Sequence, residues 1–101
     1  CIEIKKNMGW CDDIHLPKKY NKLCKIKKNI RSEKLSRKDN KYDFLIPIKY
    51  NFKKPISGRG SCIFIHLTKD YKPTAGCVAL REKDFLIMLK LIRKNSKIKI
   101  V

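Results

Sequence analysis

Residues 61–80 read S-C-I-F-I-H-L-T-K-D-Y-K-P-T-A-G-C-V-A-L, and the fold turns on how they are taken. The run alternates in kind: Ile63, Ile65 and Leu67 fall on one face of a strand, Cys62, Phe64 and His66 on the other, because strand side chains repeat every two residues. A polar turn, Lys69-Asp70-Tyr71-Lys72-Pro73, separates this strand from Thr74-Ala75-Gly76-Cys77 and a second short apolar run. A thiol is mostly protonated at neutral pH and needs an imidazole or a positive field to become a nucleophile. His66 and Cys77 are thus a candidate base and nucleophile. Gly76 would let the backbone turn sharply, leaving amide N–H groups near Cys77 free to face an oxyanion. By spacing alone, the same two residues also fit a buried thiol and a satisfied histidine.

Ahead of this core, residues 43–50 (D-F-L-I-P-I-K-Y) alternate clearly. Phe44, Ile46, Ile48 and Tyr50 share one face, and Pro47 favours an edge position because it cannot donate to the ladder. Residues 51–60, with Pro55, Gly58 and Gly60, are turn chemistry that joins the two strands as a long hairpin. Behind the core the period changes. Phe85, Met88, Leu89 and Ile92 recur at helical spacing, predicting an amphipathic helix over 82–94 with Glu82 and Asp84 in its first turn and Arg93 and Lys94 in its last. Residues 97–101 alternate as a closing strand. At the front, Ile2 and Ile4 suggest a short strand, and Gly9-Trp10-Cys11-Asp12-Asp13 breaks the pattern. Adjacent aspartates point apart and suit a turn cap better than a paired acid. Residues 20–28 fit an edge strand or an irregular loop, and residues 29–41 a solvated loop with at most one helical turn at 32–35. Trp10 is a core or groove-lining aromatic, and His15 an exposed loop histidine.

The blocks I-F-I-H-L and P-T-A-G-C-V-A-L, with Gly9-Trp10-Cys11-Asp12-Asp13, Tyr20-Asn21, Tyr42-Asp43 and Gly58-Arg59-Gly60-Ser61 in that order around them, resemble the catalytic core of the L,D-transpeptidases, the YkuD-type cysteine enzymes of bacterial cell walls. The likeness covers nearly the whole chain and is closest to a branch with short His-to-Cys spacing. It implies a mainly β domain, a β-sandwich or partly open barrel with one amphipathic C-terminal helix. It further implies acyl transfer on peptidoglycan stem peptides through a thioester on Cys77, with His66 as base and without a cofactor or metal. Gly76 and Thr74 would shape the oxyanion loop. Two departures touch substrate anchoring: Ala75 stands where many members have a second histidine, and Ala79 where many have an arginine. Arg59 is a candidate substitute anchor, with Trp10 and Tyr42 as further substrate contacts. Members carry strands ahead of the Gly-Trp-Cys-Asp-Asp block, so residues 1–101 are expected to be one domain lacking its front. Its place would be the periplasm or cell envelope, and its state a monomer.

Composition bounds the alternatives. The chain has 101 residues, 26 of them basic and 9 acidic, for a net charge of +17. That raises nucleic acid or an anionic polymer as partner. The lysines are scattered rather than gathered, so a solvated surface is favoured over nucleic-acid binding. Five cysteines, with no C-x-x-C pair, argue against a structural zinc site and leave at least one thiol unpaired in a monomer. No run is long enough to span a bilayer. A chain opening on Cys1 also fits a mature lipoprotein. Three functions follow: wall transpeptidase, basic polymer-binding module, and inactive domain fragment.

Overall fold

The computed structural model describes residues 2–99. Along the chain lie β1 (Met8–Cys11), β2 (Leu23–Lys25), β3 (Ser32–Lys34), β4 (Leu45–Pro47), β5 (Phe64–Leu67), β6 (Val78–Leu80) and α1 (Glu82–Leu91). The strands form two three-stranded sheets, ordered β2-β1-β3 and β4-β5-β6. The architecture is mainly β with one helix, and no closed barrel forms among the described residues.

In the second sheet β5 is central. It pairs antiparallel with β4, Ile46 opposite Ile65, and parallel with β6, His66 opposite Ala79. All four residues of β5 are buried, with the alternation expected. Phe64 faces one cluster with Trp10, Leu35 and Tyr42, while Ile65 and Leu67 face another with Phe85 of α1. Phe64 is fully buried and meets Trp10 and Tyr42 edge-on, at centroid separations of 5.4 and 5.8 Å. Such pairs contribute roughly 0.5–1.5 kcal/mol each beyond area burial. Leu45 leans on the first cluster and Ile46 and Ile48 on the second. Pro47 lies on an edge strand, as its missing donor requires.

The first sheet departs from the sequence expectations. Gly9-Trp10-Cys11 is not a break but the central strand. Residues 32–34 are a strand rather than a loop or helical turn, and 23–25 form an edge strand. Gly9 permits this pairing. A Cβ there would lie 2.9 Å from Ser32 Oγ and 3.3 Å from the Glu33 carbonyl, so β1 and β3 approach as closely as they do because position 9 carries none. Ile2 and Ile4 lie outside any strand.

Helix α1 ends earlier than its apolar period suggests. Ile92 is extended (ψ 152°), so Arg93 and Lys94 lie beyond the last turn, whose basic residue is Lys90. Only Phe85 of the helix is buried, and Leu91 is 75% exposed. Residues 97–99 form no strand, and residues 1, 100 and 101 lie outside the described residues, so the closing strand is not described in full. No described helix is long and apolar enough to cross a membrane.

Candidate active site

His66 and Cys77 are placed by the β5–β6 pair. His66 lies opposite Ala79, and Cys77 stands two residues before Ala79, just ahead of the first paired residue, Val78. The period of two therefore puts thiol and imidazole on one face of neighbouring strands. Ordinary strand separation and rise give such diagonal neighbours a Cα spacing of about 8 Å. Both residues also share neighbours. Cys77 packs against the Trp10–Leu35–Tyr42–Phe64 cluster, and the Tyr42 ring stands edge-on to the His66 ring at 5.5 Å.

His66 is buried, and its Nδ1 lies 2.8 Å from the Leu67 carbonyl. A carbonyl can only accept, so Nδ1 carries the proton, and in the neutral ring Nε2 is the basic nitrogen.

Cys77 is half-buried, and its Sγ donates to the Cys62 carbonyl at 3.1 Å. Burial pushes the thiol above its ordinary range. The Phe64 amide pulls the other way, and the negative charge of Glu33 adds to the rise. The resting thiol is thus protonated and turned toward a backbone oxygen. No hydrogen bond joins it to His66 among the described residues.

Gly76 sits at φ +130°, where a side chain is strained, and the Thr74 hydroxyl donates to the Cys77 carbonyl. Tyr42 is buried and donates to Glu33 of β3 at 3.2 Å, while the Arg37 guanidinium lies 5.2 Å above its ring. Burial and the charges of Glu33 and Cys77 together raise the Tyr42 phenol far above its usual range. Arg37 also clasps Asp39 through two hydrogen bonds of 2.8 and 2.7 Å, which holds the Asp39 carboxyl at about 2.

Trp10 is buried in the core, donating from Nε1 to Asn21 at 2.8 Å. With Tyr42 it lines an open apolar groove of about 820 Å³, bordered by Met8, Leu35, Leu45 and Phe85 but by neither His66 nor Cys77. Arg59 is exposed in the turn after Ile56, and the structure brings it to none of these residues.

The blocks that carry the resemblance are tied together by hydrogen bonds. Asn21, at φ +56°, accepts from Trp10 and donates to the carbonyls of Tyr50 and Asn51. The Gly60 amide donates to the Tyr20 hydroxyl, and Ser61 Oγ donates to the Cys11 carbonyl at 2.7 Å. Asp13 caps a turn by accepting from the amides of His15 and Arg31. The resemblance implied that residues 29–41 lie near the catalytic face, but sequence reasoning singled out neither Glu33 nor Arg37 there, and it missed Cys62 as a neighbour of the site. The four-residue spacing of Glu33 and Arg37, ahead of a tyrosine flanked by charge, was the available signal for the first two. Cys11, Cys24, Cys62 and Cys77 are free thiols. No protein-family model, curated protein or solved structure matches the chain.

Proposed function

We propose that this chain is a cysteine acyltransferase of the L,D-transpeptidase kind, acting in the cell envelope on peptidoglycan stem peptides. The observation that carries the reading is the placement of Cys77 and His66 on one face of adjacent strands, with Nδ1 of His66 engaged and Nε2 left as the base. Rotation about χ1 of Cys77 releases its thiol from the Cys62 carbonyl and turns it toward the imidazole. His66 accepts the proton, the sulfur attacks a stem-peptide carbonyl, and amides around Gly76 and Cys77 receive the oxyanion. The tetrahedral intermediate expels the terminal D-amino acid as its amine, protonated by His66. The thioester left on Cys77 is resolved by the amine of a second stem or by water. The two-sheet arrangement, joined through Trp10 and Phe64, is compatible with a sandwich of this kind.

Arg37 over Tyr42, and Tyr42 edge-on to His66, hold the imidazole from behind. Tyr42 is therefore a positioning residue in this reading. Trp10 supports it from the core, and Arg59 has no place in it.

Intact-mass measurement with a tetrapeptide stem or a carbapenem tests the proposal. The wild type gains one acyl group, Cys77→Ala none, and His66→Gln at least a hundredfold more slowly, the low end of what a positioned base contributes (roughly 10²–10⁴-fold). Equal labelling of wild type and Cys77→Ala would remove it.

A second reading has its own observation. Lys18, Lys19, Lys22, Lys25 and Lys27 line one shallow depression of about 260 Å³ beside Cys24. Binding of an anionic polymer there would weaken steeply with added salt, and titration with heparin at rising salt distinguishes it from no binding.

A further inference from the structure

Cys62 contributes its carbonyl to the resting site, but acyl transfer makes no use of its sulfur. Three features of this residue converge. It adopts φ +60°, a left-handed conformation that is uncommon for a residue other than glycine, asparagine or aspartate. This kink ends the irregular approach to β5 and turns the Cys62 carbonyl onto Cys77, leaving the Cys77 sulfur 3.1 Å from it. The Cys62 side chain packs, like that of Cys77, against the Trp10–Leu35–Tyr42–Phe64 cluster. Among the described residues its sulfur is held by long contacts, 3.6 Å to Ser61 Oγ and 3.8 Å to the Trp10 carbonyl. Both residues are partly exposed, so a small oxidant reaches them.

The geometry points to a reversible disulfide between Cys62 and Cys77, formed through a sulfenic acid on Cys77, that closes the nucleophile to acyl donors. The oxidant is a peroxide. Cys77 sulfur attacks one peroxide oxygen, the O–O bond breaks, and the departing hydroxide takes up the thiol proton as water, leaving Cys77–S–OH. Cys62 sulfur then attacks Cys77 sulfur, the S–O bond breaks, and hydroxide leaves with the Cys62 proton as a second water. Two thiols have given up two electrons, and the peroxide has been reduced to two waters. The Cys77 sulfur already lies against the Cys62 backbone, and each sulfur must leave the contact it now makes for the two to meet. The proposal rests on the proposed function in one respect: the Cys77 thiol, which burial keeps protonated, first passes its proton to His66, as it does before acyl transfer.

The test is peptide mapping of the full chain after brief treatment with stoichiometric hydrogen peroxide, alkylation in denaturant and digestion with trypsin without reductant. The wild type is expected to yield peptide 60–69 joined to peptide 70–81, released by dithiothreitol. Cys62→Ser, which keeps the backbone carbonyl, is expected to give no linked peptide and to carry a sulfenic acid on Cys77 that dimedone traps, or that a second equivalent of peroxide takes to sulfinic acid when dimedone is left out. The proposal is overturned if wild-type Cys77 accumulates sulfenic or sulfinic acid as readily as Cys62→Ser, if either cysteine links to a different one, or if Cys77 stays reduced. Labelling of the untreated Cys62→Ser protein by an acyl donor reports separately. Labelling without a wild-type cross-link removes the disulfide alone, and a cross-link without labelling removes the transferase alone.

Discussion

Strands β1 and β5 are both central in three-stranded sheets, yet they are held in place by different means. β5 is buried on both faces, by Phe64 against aromatics on one side and by Ile65 and Leu67 against Phe85 on the other. β1 packs Trp10 against Phe64 and adds polar ties from distant loops. Asn21 fixes Trp10 to the turn at Tyr50 and Asn51, and Ser61 fixes the Cys11 carbonyl. The sheet bearing His66 and Cys77 is thus anchored by apolar packing on both faces, and its neighbour by the Trp10–Phe64 contact together with hydrogen bonds. Tyr42 spans the two, donating to Glu33 of β3 while standing edge-on to His66 of β5. His66, on a strand packed from both faces, is placed more rigidly than a loop residue would be.

The comparison breaks most visibly at Phe64. Truncation to alanine removes a fully buried ring with two edge-on partners and leaves a cavity where the sheets meet. We expect a loss of about 3–5 kcal/mol, the range for buried Phe→Ala, read as a lower urea midpoint. A loss below 1 kcal/mol would mean that the two sheets do not share this core.

Asn21→Ala attacks the other sheet. It leaves the buried Trp10 N–H without its acceptor and deprives two carbonyls of a donor. An orphaned buried group costs about 1–3 kcal/mol, so the expected loss is smaller than at Phe64. Hydrogen exchange should rise in β1 and β2 before it rises in β5. Equal exchange in both sheets would show that they unfold as one unit, and that the polar ties are redundant.

The two sheets also differed in how far the sequence disclosed them. β5, the edge position of Pro47 and the burial of Phe85 were readable because apolar alternation and helical period report local burial directly. β1 and β3 were not. Ser32-Glu33-Lys34 has little strand character of its own, and its conformation is imposed by pairing with Gly9-Trp10-Cys11, over twenty positions away. Strand propensity depends on such partners. The end of α1 was misjudged for a related reason. The apolar period continues to Ile92, but the chain turns extended there. At the site, the same-face placement of His66 and Cys77 follows from the period of two. The kink at Cys62, which sets the hydrogen bond of the Cys77 thiol, leaves no trace in composition or spacing.

That kink also supplies the smallest and most local test, because Cys62 lies where the sheets touch, its sulfur directed at the Trp10 carbonyl. Burial raises the Cys62 thiol from 9.0 to about 12. In the unfolded chain the thiol ionises near its ordinary value, while in the folded chain it keeps its proton to about 12. Between those limits the folded state binds more protons, so stability falls as pH rises through that window and is complete below it. Cys77 and Tyr42, both raised, push in the same direction. The decline should therefore be shallower, not absent, in Cys62→Ser. Urea midpoints of the two proteins at pH 8 and pH 10 measure it. Wild type is expected to lose more stability than Cys62→Ser across that interval. Parallel declines would place the Cys62 thiol in water rather than in the seam between the sheets.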